Sequence, residues 1–162
     1  EPFETFIENA LAKARHAAPA SGLPALADDS GLCVDALDGA PGVRSSRFAA
    51  DAGLGQGDAA NNRLLLGRLQ GQTQRDAAFV CVVVALRHAA DPEPLVATGR
   101  WPLRVLHAAL GEGGFGYDPI VCPREAGTGS VATLSAAEKN QNSHRAQAMR
   151  QLIAQLHARW RW

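Results

Sequence analysis

The chain has no excess of charge of either sign: its 162 residues hold sixteen basic and sixteen acidic side chains, a formal charge of zero. No whole-molecule field draws it toward a polyanion such as DNA, so a nucleic-acid module is excluded as the leading reading and phosphate binding has to be local. Cysteine is scarce. Cys33, Cys81 and Cys122 are odd in number, widely spaced and mostly set in apolar strand-like surroundings. That fits reduced core thiols in a cytoplasmic protein better than a disulfide framework or a zinc site. Long hydrophobic runs are missing as well: none approaches the roughly 18 residues that cross a bilayer, so no membrane partner is expected. No secretory leader is visible, although the chain opens at Glu1 and not at an initiator methionine.

What remains is ordinary for a soluble folded protein, with 46 % apolar and 20 % charged residues. The length suits one domain over 1–162 that buries a core of its own. Thr5 followed by Glu8 is a capping box, and Ile7, Ala10, Leu11 and Ala14 recur at helical spacing, which predicts a helix from 5 to about 16 ended by Pro19 to Pro24. Ala25, Leu26 and Ala27 form a short strand that stops at Asp28 and Asp29, placing the acidic pair where the strand leaves the core. Asp58 is positioned to cap a helix to about 70, with Leu64, Leu65 and Leu69 as its buried stripe and Gly71 past its end.

The run 77–86 is nearly all apolar and largely β-branched, as a strand covered on both faces requires. Residues 95–98 pair with it as a hairpin neighbour, and beyond Trp101 and Pro102 a separate weak strand is predicted at 103–106. Ile120 and Val121 restart strand character after a glycine-rich loop. Ser135 with Glu138 forms a second capping box, and Ser143 caps a last helix whose Ala146, Met149, Ile153 and Leu156 share a face. Helices interleaved with strands argue an α/β fold with a mixed central sheet flanked by helices. Trp160 and Trp162 belong either to an interface or to a tail.

Three blocks carry candidate chemistry. In Ala27-Asp28-Asp29-Ser30-Gly31-Leu32 two carboxylates adjoin a hydroxyl and a glycine. Hydrolysis of a phosphoanhydride needs a hard cation held by oxygens and a carboxylate that orients or deprotonates water; the plain alternative is a polar turn with two solvated aspartates. In Gly113-Gly114-Phe115-Gly116-Tyr117-Asp118-Pro119 the glycines admit a ligand close to the backbone, the aromatics offer a face to a flat base, and Asp118 can accept from ring nitrogens. The alternative is a tight connection with Phe115 packed inward. In Glu138-Lys139-Asn140-Gln141-Asn142-Ser143-His144-Arg145 basic residues sit in the first turn of a helix, where they oppose its dipole; they are either recruited for an anion or electronegative oxygen or are surface charge.

Together with Thr5-Phe6-Ile7-Glu8-Asn9-Ala10 and Gly39-Ala40-Pro41-Gly42-Val43, these blocks stand in the order found in the inosine triphosphate and xanthosine triphosphate pyrophosphatase family, which the chain resembles over nearly its whole length. The resemblance implies an active-site cleft between two lobes, a Mg2+ cofactor, a homodimer, and cleavage of ITP, dITP or XTP between the α and β phosphates. Asp29 matches the catalytic acidic position, as general base and metal contact, with Ser30 beside the substrate and Asp28 in support. Glu1 matches a metal-binding glutamate. Phe115, Gly116, Tyr117 and Asp118 match the base-binding loop, and Lys139, His144 and Arg145 match further substrate contacts.

The resemblance also implies how the base is chosen. Hypoxanthine and xanthine present a carbonyl oxygen to Arg145, Lys139 or backbone amides, where adenine presents an amino donor and leaves donors unpaired. The family's opening strand and its Thr/Ser-Gly-Asn-x-x-Lys phosphate loop do not precede Glu1, so an inactive nucleotide-binding fragment is the alternative expectation. A pyrimidine or methylated-nucleotide pyrophosphatase of the related septum-inhibitor family is disfavoured by the Gly-Phe-Gly-Tyr-Asp-Pro loop and the Ser-His-Arg block.

Overall fold

The computed structural model describes residues 2–125 and 129–161; Glu1 and Trp162, both singled out above, lie outside the described residues. The capping box at the start forms as its spacing requires. Thr5 Oγ1 accepts from the Glu8 amide at 3.3 Å and donates to Glu8 Oε2 at 2.6 Å, opening helix α1 over Phe6–Ser21. The helix runs past its predicted end because Pro19, with its φ already helical, is taken into the last turn, and only Gly22, left-handed at φ 67°, stops it. Its buried face is also narrower than predicted: Ala10, Ala14 and Ala18 are buried beside Asn9, whereas Ile7 is exposed. Small side chains at this spacing let the helix lie close to the strand beneath it.

Strand β1 spans Ala25–Val34, so the acidic pair lies inside a strand and not at its mouth. The reason is that Leu32 and Val34, both fully buried, draw the chain onward in extended form. Consecutive strand residues point to opposite faces, which separates Asp28 from Asp29. A short helix α2, Phe48–Asp51, precedes α3, Asp58–Arg68. Leu65 and Leu69 of the predicted stripe are fully buried and Leu64 partly so. Asp58 is not the cap: Gly57 occupies that position, and the Asp58 carboxylate is used elsewhere.

Strands β2, Asp76–Leu86, and β3, Leu95–Val105, follow. The two fragments expected around Trp101 and Pro102 are one strand whose burial alternates, with Trp101 and Leu103 buried and Pro102 exposed. Pro102 lacks only a donor; its carbonyl accepts from the Arg124 amide at 3.2 Å. β4, Val121–Pro123, runs antiparallel to β3 with Arg104 opposite Cys122, and the sheet order is β1-β2-β3-β4. Helices α4, Ala136–Asn142, and α5, His144–Gln155, carry the predicted caps: the Ser135 amide donates to Glu138 Oε2 at 2.9 Å, and Ser143 Oγ accepts from Ala146 at 3.2 Å.

Two compact units emerge. The first comprises Glu1–Ser30, Val80–Arg100 and Ser143–Trp162, and its centre is β2, covered on both faces as its sequence demands. Val82, Val84 and Leu86 meet the alanines of α1, while Cys81, Val83 and Ala85 meet Leu95, Ala97 and the α5 residues Ala148 and Leu152. The face of α5 is therefore rotated from the expected one: Ile153 is exposed, and Met149, Leu156 and Trp160 pack only at the margin of that cluster. Gly99 explains the rotation. A Cβ there would lie 1.8 Å from the His144 carbonyl oxygen, so the helix approaches β3 where no side chain stands in the way.

The second unit comprises Gly31–Phe79 and Trp101–Asn142. Its core gathers Leu32, Val34, Phe48, Leu65, Leu69, Phe79, Trp101, Leu103, Tyr117 and Ile120. Gly31 is required by a close approach: an added Cβ would meet Gly42 O at 2.3 Å and Ser45 Oγ at 2.5 Å. Ser45 Oγ donates to Gly42 O at 2.6 Å and accepts from the Leu32 amide at 2.9 Å, tying the Gly-Ala-Pro-Gly segment to β1.

Candidate active site

The first unit holds a polar cluster on each face of β1. On the α1 side Asp29, 5 % exposed, receives Lys13 Nζ at 2.7 Å on one oxygen and Asn9 Nδ2 at 3.2 Å on the other. A carboxylate withdrawn this far from water needs such partners to keep its charge. Lys13 Nζ also donates to the Asp28 carbonyl at 3.3 Å. Asn9 is itself fixed, accepting from the Phe3 amide and donating to the Phe3 carbonyl, both at 3.2 Å. Lys13 and Asn9 stand four residues apart, on one face of the helix.

On the other face Asp28 Oδ2 accepts from Arg145 Nε at 3.3 Å and Nη2 at 3.0 Å, and Arg145 Nη2 also reaches Ser30 Oγ at 3.1 Å. Cys81 Sγ donates to the same Asp28 oxygen at 3.7 Å. Burial, reinforced by the Asp28 charge, pushes the Cys81 thiol up to about 12, so it serves as a donor and not as a nucleophile. The positive charge that opposes the α5 dipole is thus balanced by Asp28, and His144 opens the same helix. Asp28, Ser30 and Arg145 are brought together; Asp29 belongs to the opposite face.

The second unit builds its cluster on the glycine-rich loop. Phe115 is 65 % exposed, not packed inward, and Lys139 Nζ lies 4.3 Å from its ring centroid. Lys139 is also ion-paired with Asp118, which is buried and accepts the Phe115 amide at 2.9 Å. Asp118 Oδ2 therefore holds the loop together. Gly114, at φ 78°, is obligatory, since a Cβ would fall 2.3 Å from that oxygen. The Gly116 amide donates to Asp58 at 2.6 Å, so the amides of both Phe115 and Gly116 are occupied by carboxylates.

Tyr117 departs from the expectation that it faces a ligand. Its ring is 4 % exposed within the core, and its hydroxyl donates to the Ser45 carbonyl at 2.9 Å; burial, with Asp58 nearby, raises its pKa far above the ordinary phenol value. The Tyr in this loop anchors it because a phenol supplies apolar bulk and one buried donor together.

Sequence reasoning missed Lys13, Asn9, Asp58 and Asn62. One signal was available for the first pair: Lys13 and Lys139 are the only lysines in the chain, and each is paired with an aspartate of a motif block. Asn9 gave a second, as a polar residue next to the alanine face of α1. Asp58 and Asn62 gave none, since their partner lies 58 and 54 residues away respectively. Among the described residues no group of three or more His, Cys, Asp or Glu is arranged to hold a metal ion by itself. Asp29 is nonetheless a hard oxygen donor of the kind that Mg2+ takes singly, with phosphates and water completing its shell.

Comparison with known proteins places these clusters in a family. The chain is 55 % identical to a dITP/XTP pyrophosphatase of Methylibium petroleiphilum over 168 residues, covering 99 % of this chain and 80 % of that protein. It is 58 % identical to one of Chromobacterium violaceum, covering 98 % and 78 % respectively. Among solved structures a HAM1 protein from Coxiella burnetii superposes with a TM-score of 0.88 at 44 % identity, over 95 % of this chain and 77 % of that one. The Staphylococcus aureus Ham1 protein does so with the same TM-score of 0.88 at 39 % identity, over 98 % and 79 %. The Ham1 family pattern matches residues 1–155, which takes in every cluster described above, and on that extent of agreement in sequence and fold the chain belongs to the Ham1 family.

Proposed function

We propose that the chain is a hydrolase that cleaves non-standard purine nucleoside triphosphates, ITP, dITP or XTP, to the monophosphate and pyrophosphate. The observation that carries this reading is the exposed ring of Phe115 with the Lys139 ammonium over it and Asp118 fixing both, an aromatic face with a donor for a base that bears a carbonyl oxygen. The names of the relatives, dITP/XTP pyrophosphatases at 55 % and 58 % identity, support the same substrates.

In this reading Asp29 is the general base, taking a proton from the attacking water, and the Lys13 ammonium keeps that carboxylate charged and aimed. Mg2+ belongs to the proposal: Asp29 and Glu1 would hold it, and it would supply positive charge that offsets the negative charge of the triphosphate as the bond between its α and β phosphates is cleaved. Arg145, aimed by Asp28 and Ser30, or Lys139 donates to the six-position oxygen of the base, with His144 a further contact. The occupied amides of Phe115 and Gly116 leave side chains as the discriminating donors. An amino group at that position sets donor against donor, which a dry site penalises by orders of magnitude. The proposal also takes in a homodimer and a cytoplasmic setting, as the resemblance implies. Among the described residues no helix is long and apolar enough to cross a membrane.

The test is magnesium-dependent pyrophosphate release from dITP, XTP, dATP, dGTP and dTTP. Turnover confined to dITP and XTP and abolished by chelation is the expected outcome; equal turnover of dTTP or dATP refutes the substrate assignment. Asp29→Asn keeps the shape and removes the base, so turnover should fall roughly 10²- to 10⁴-fold with the thermal midpoint little changed. Arg145→Ala should erode the preference for dITP over dATP.

A further inference from the structure

Gly116 stands in the middle of the exposed loop, at φ 61°, and both polar atoms of its backbone are taken by one helix. Its N–H donates to Asp58 Oδ2 at 2.6 Å, and its carbonyl accepts from Asn62 Nδ2 at 3.0 Å. Asp58 and Asn62 are four residues apart in α3, so they present side by side on one helical face, in the first turns, where the helix is held by the buried Leu65 and Leu69. A single residue of loop is thereby gripped at two points by a rigid element. The residue before it is Phe115, whose amide is fixed by Asp118, and the residue after it is Tyr117, whose hydroxyl is fixed by Ser45.

Asn62 shows that the grip is more than packing. Its Oδ1 is buried and has no hydrogen-bond partner among the described residues, an arrangement that works against stability. Turning the amide over would set Oδ1 against the Gly116 carbonyl, acceptor against acceptor, so the side chain faces as it does to serve that carbonyl. Asp58 likewise leaves the capping position to Gly57 and spends its carboxylate on the loop. The hydrogen bonds of both residues to the loop run to the Gly116 peptide, so both act on Phe115 through it.

We propose that Asp58 and Asn62 are positioning residues for recognition of the purine base, a two-point clamp on the Gly116 peptide that sets the presentation of Phe115. The proposal rests on the reading of this loop as the base-binding element. Loss of one clamp bond should raise KM for dITP roughly five- to tenfold while leaving kcat within about twofold, because the chemistry at Asp29 is untouched. The same loss should lower the preference for dITP over dATP.

The experiment compares Asp58→Ala, Asn62→Ala and Asp58→Asn with the unvaried chain, measuring kcat and KM for dITP and dATP with Mg2+ and amide hydrogen exchange over 113–118. Both alanine variants are expected to raise KM and speed exchange in that segment. Asp58→Asn, which retains an oxygen facing the Gly116 N–H, is expected to restore both. Asn62→Asp keeps the size of the side chain while setting a carboxylate against the Gly116 carbonyl, and should reproduce the Asn62→Ala effect if that variant folds poorly. Unchanged KM and exchange in the alanine variants, beside an unvaried chain that turns over dITP, overturns the clamp and leaves the function standing. An unvaried chain with no turnover of any purine triphosphate overturns the functional reading and the clamp with it. A fall in thermal midpoint with KM unchanged makes the two residues merely structural and also overturns the proposal.

Discussion

Gly99→Ala adds one methyl group at a glycine pressed against the start of α5. The new Cβ would stand 1.8 Å from the His144 carbonyl oxygen and 2.7 Å from the Ala148 amide, where ordinary contact begins at 3.4 Å. The difference, 3.4 minus 1.8, asks the start of α5 to retreat by 1.6 Å. Both obstacles are backbone atoms of a capped helix, so no side chain can swing aside to absorb the change. Overpacking of this kind costs about 1–3 kcal/mol, seen as a lower thermal midpoint. The same shift moves Arg145, whose bonds to Asp28 and Ser30 stand at 3.0 and 3.1 Å and cannot both survive it.

Misplacement by about 1 Å at a reacting or selecting group can cost on the order of 100-fold, so kcat/KM for dITP should fall and the preference over dATP should narrow. The assay pairs thermal melting with kcat/KM for both nucleotides. Gly67→Ala is the control: an added Cβ there meets nothing within 4 Å, and a helical alanine should be neutral or stabilising by up to about 1 kcal/mol. Gly99→Ala with the parent's melting point and the parent's selectivity would refute the account of how α5 is seated.

Lys13→Ala takes the ammonium away from the buried carboxylate of Asp29; turnover and thermal midpoint should both fall, and Lys13→Arg should recover the midpoint more fully than the turnover because the guanidinium is larger and forked. Phe115→Ala removes an exposed ring from the loop, so the midpoint should hold while KM for dITP rises by the value of one base stack, about 1–3 kcal/mol or roughly 5- to 150-fold, and an unchanged KM counts against stacking. Asp91 offers a pH test: hydrogen bonds from Arg87 hold its carboxyl well below the usual range, with the folded value below the unfolded one. Its contribution is therefore present above about pH 3.9 and lost as pH falls toward the lowered value, so the melting deficit of Asp91→Asn should be widest near neutrality and shrink in acid.

What the sequence determined by itself are the features set by near neighbours. Both capping boxes, the Ser143 cap, the apolar run that becomes β2 and the glycine-rich loop depend on residues a few positions apart, and the chain alone expresses that chemistry. The motif blocks were legible for the same reason, and with them the family. Only the tertiary structure decided which way those residues face. Asp28 and Asp29 looked like one acidic pair, yet the buried Leu32 and Val34 extend the strand and send the two carboxylates to opposite sides, one to Arg145 and one to Lys13. Tyr117 looked like part of a binding face and is a buried anchor, while Asp58 looked like a helix cap and holds a loop 58 residues away. Such choices rest on contacts between distant segments, where a side chain is claimed by whichever partner the packed core brings within reach, and no local spacing encodes that partner.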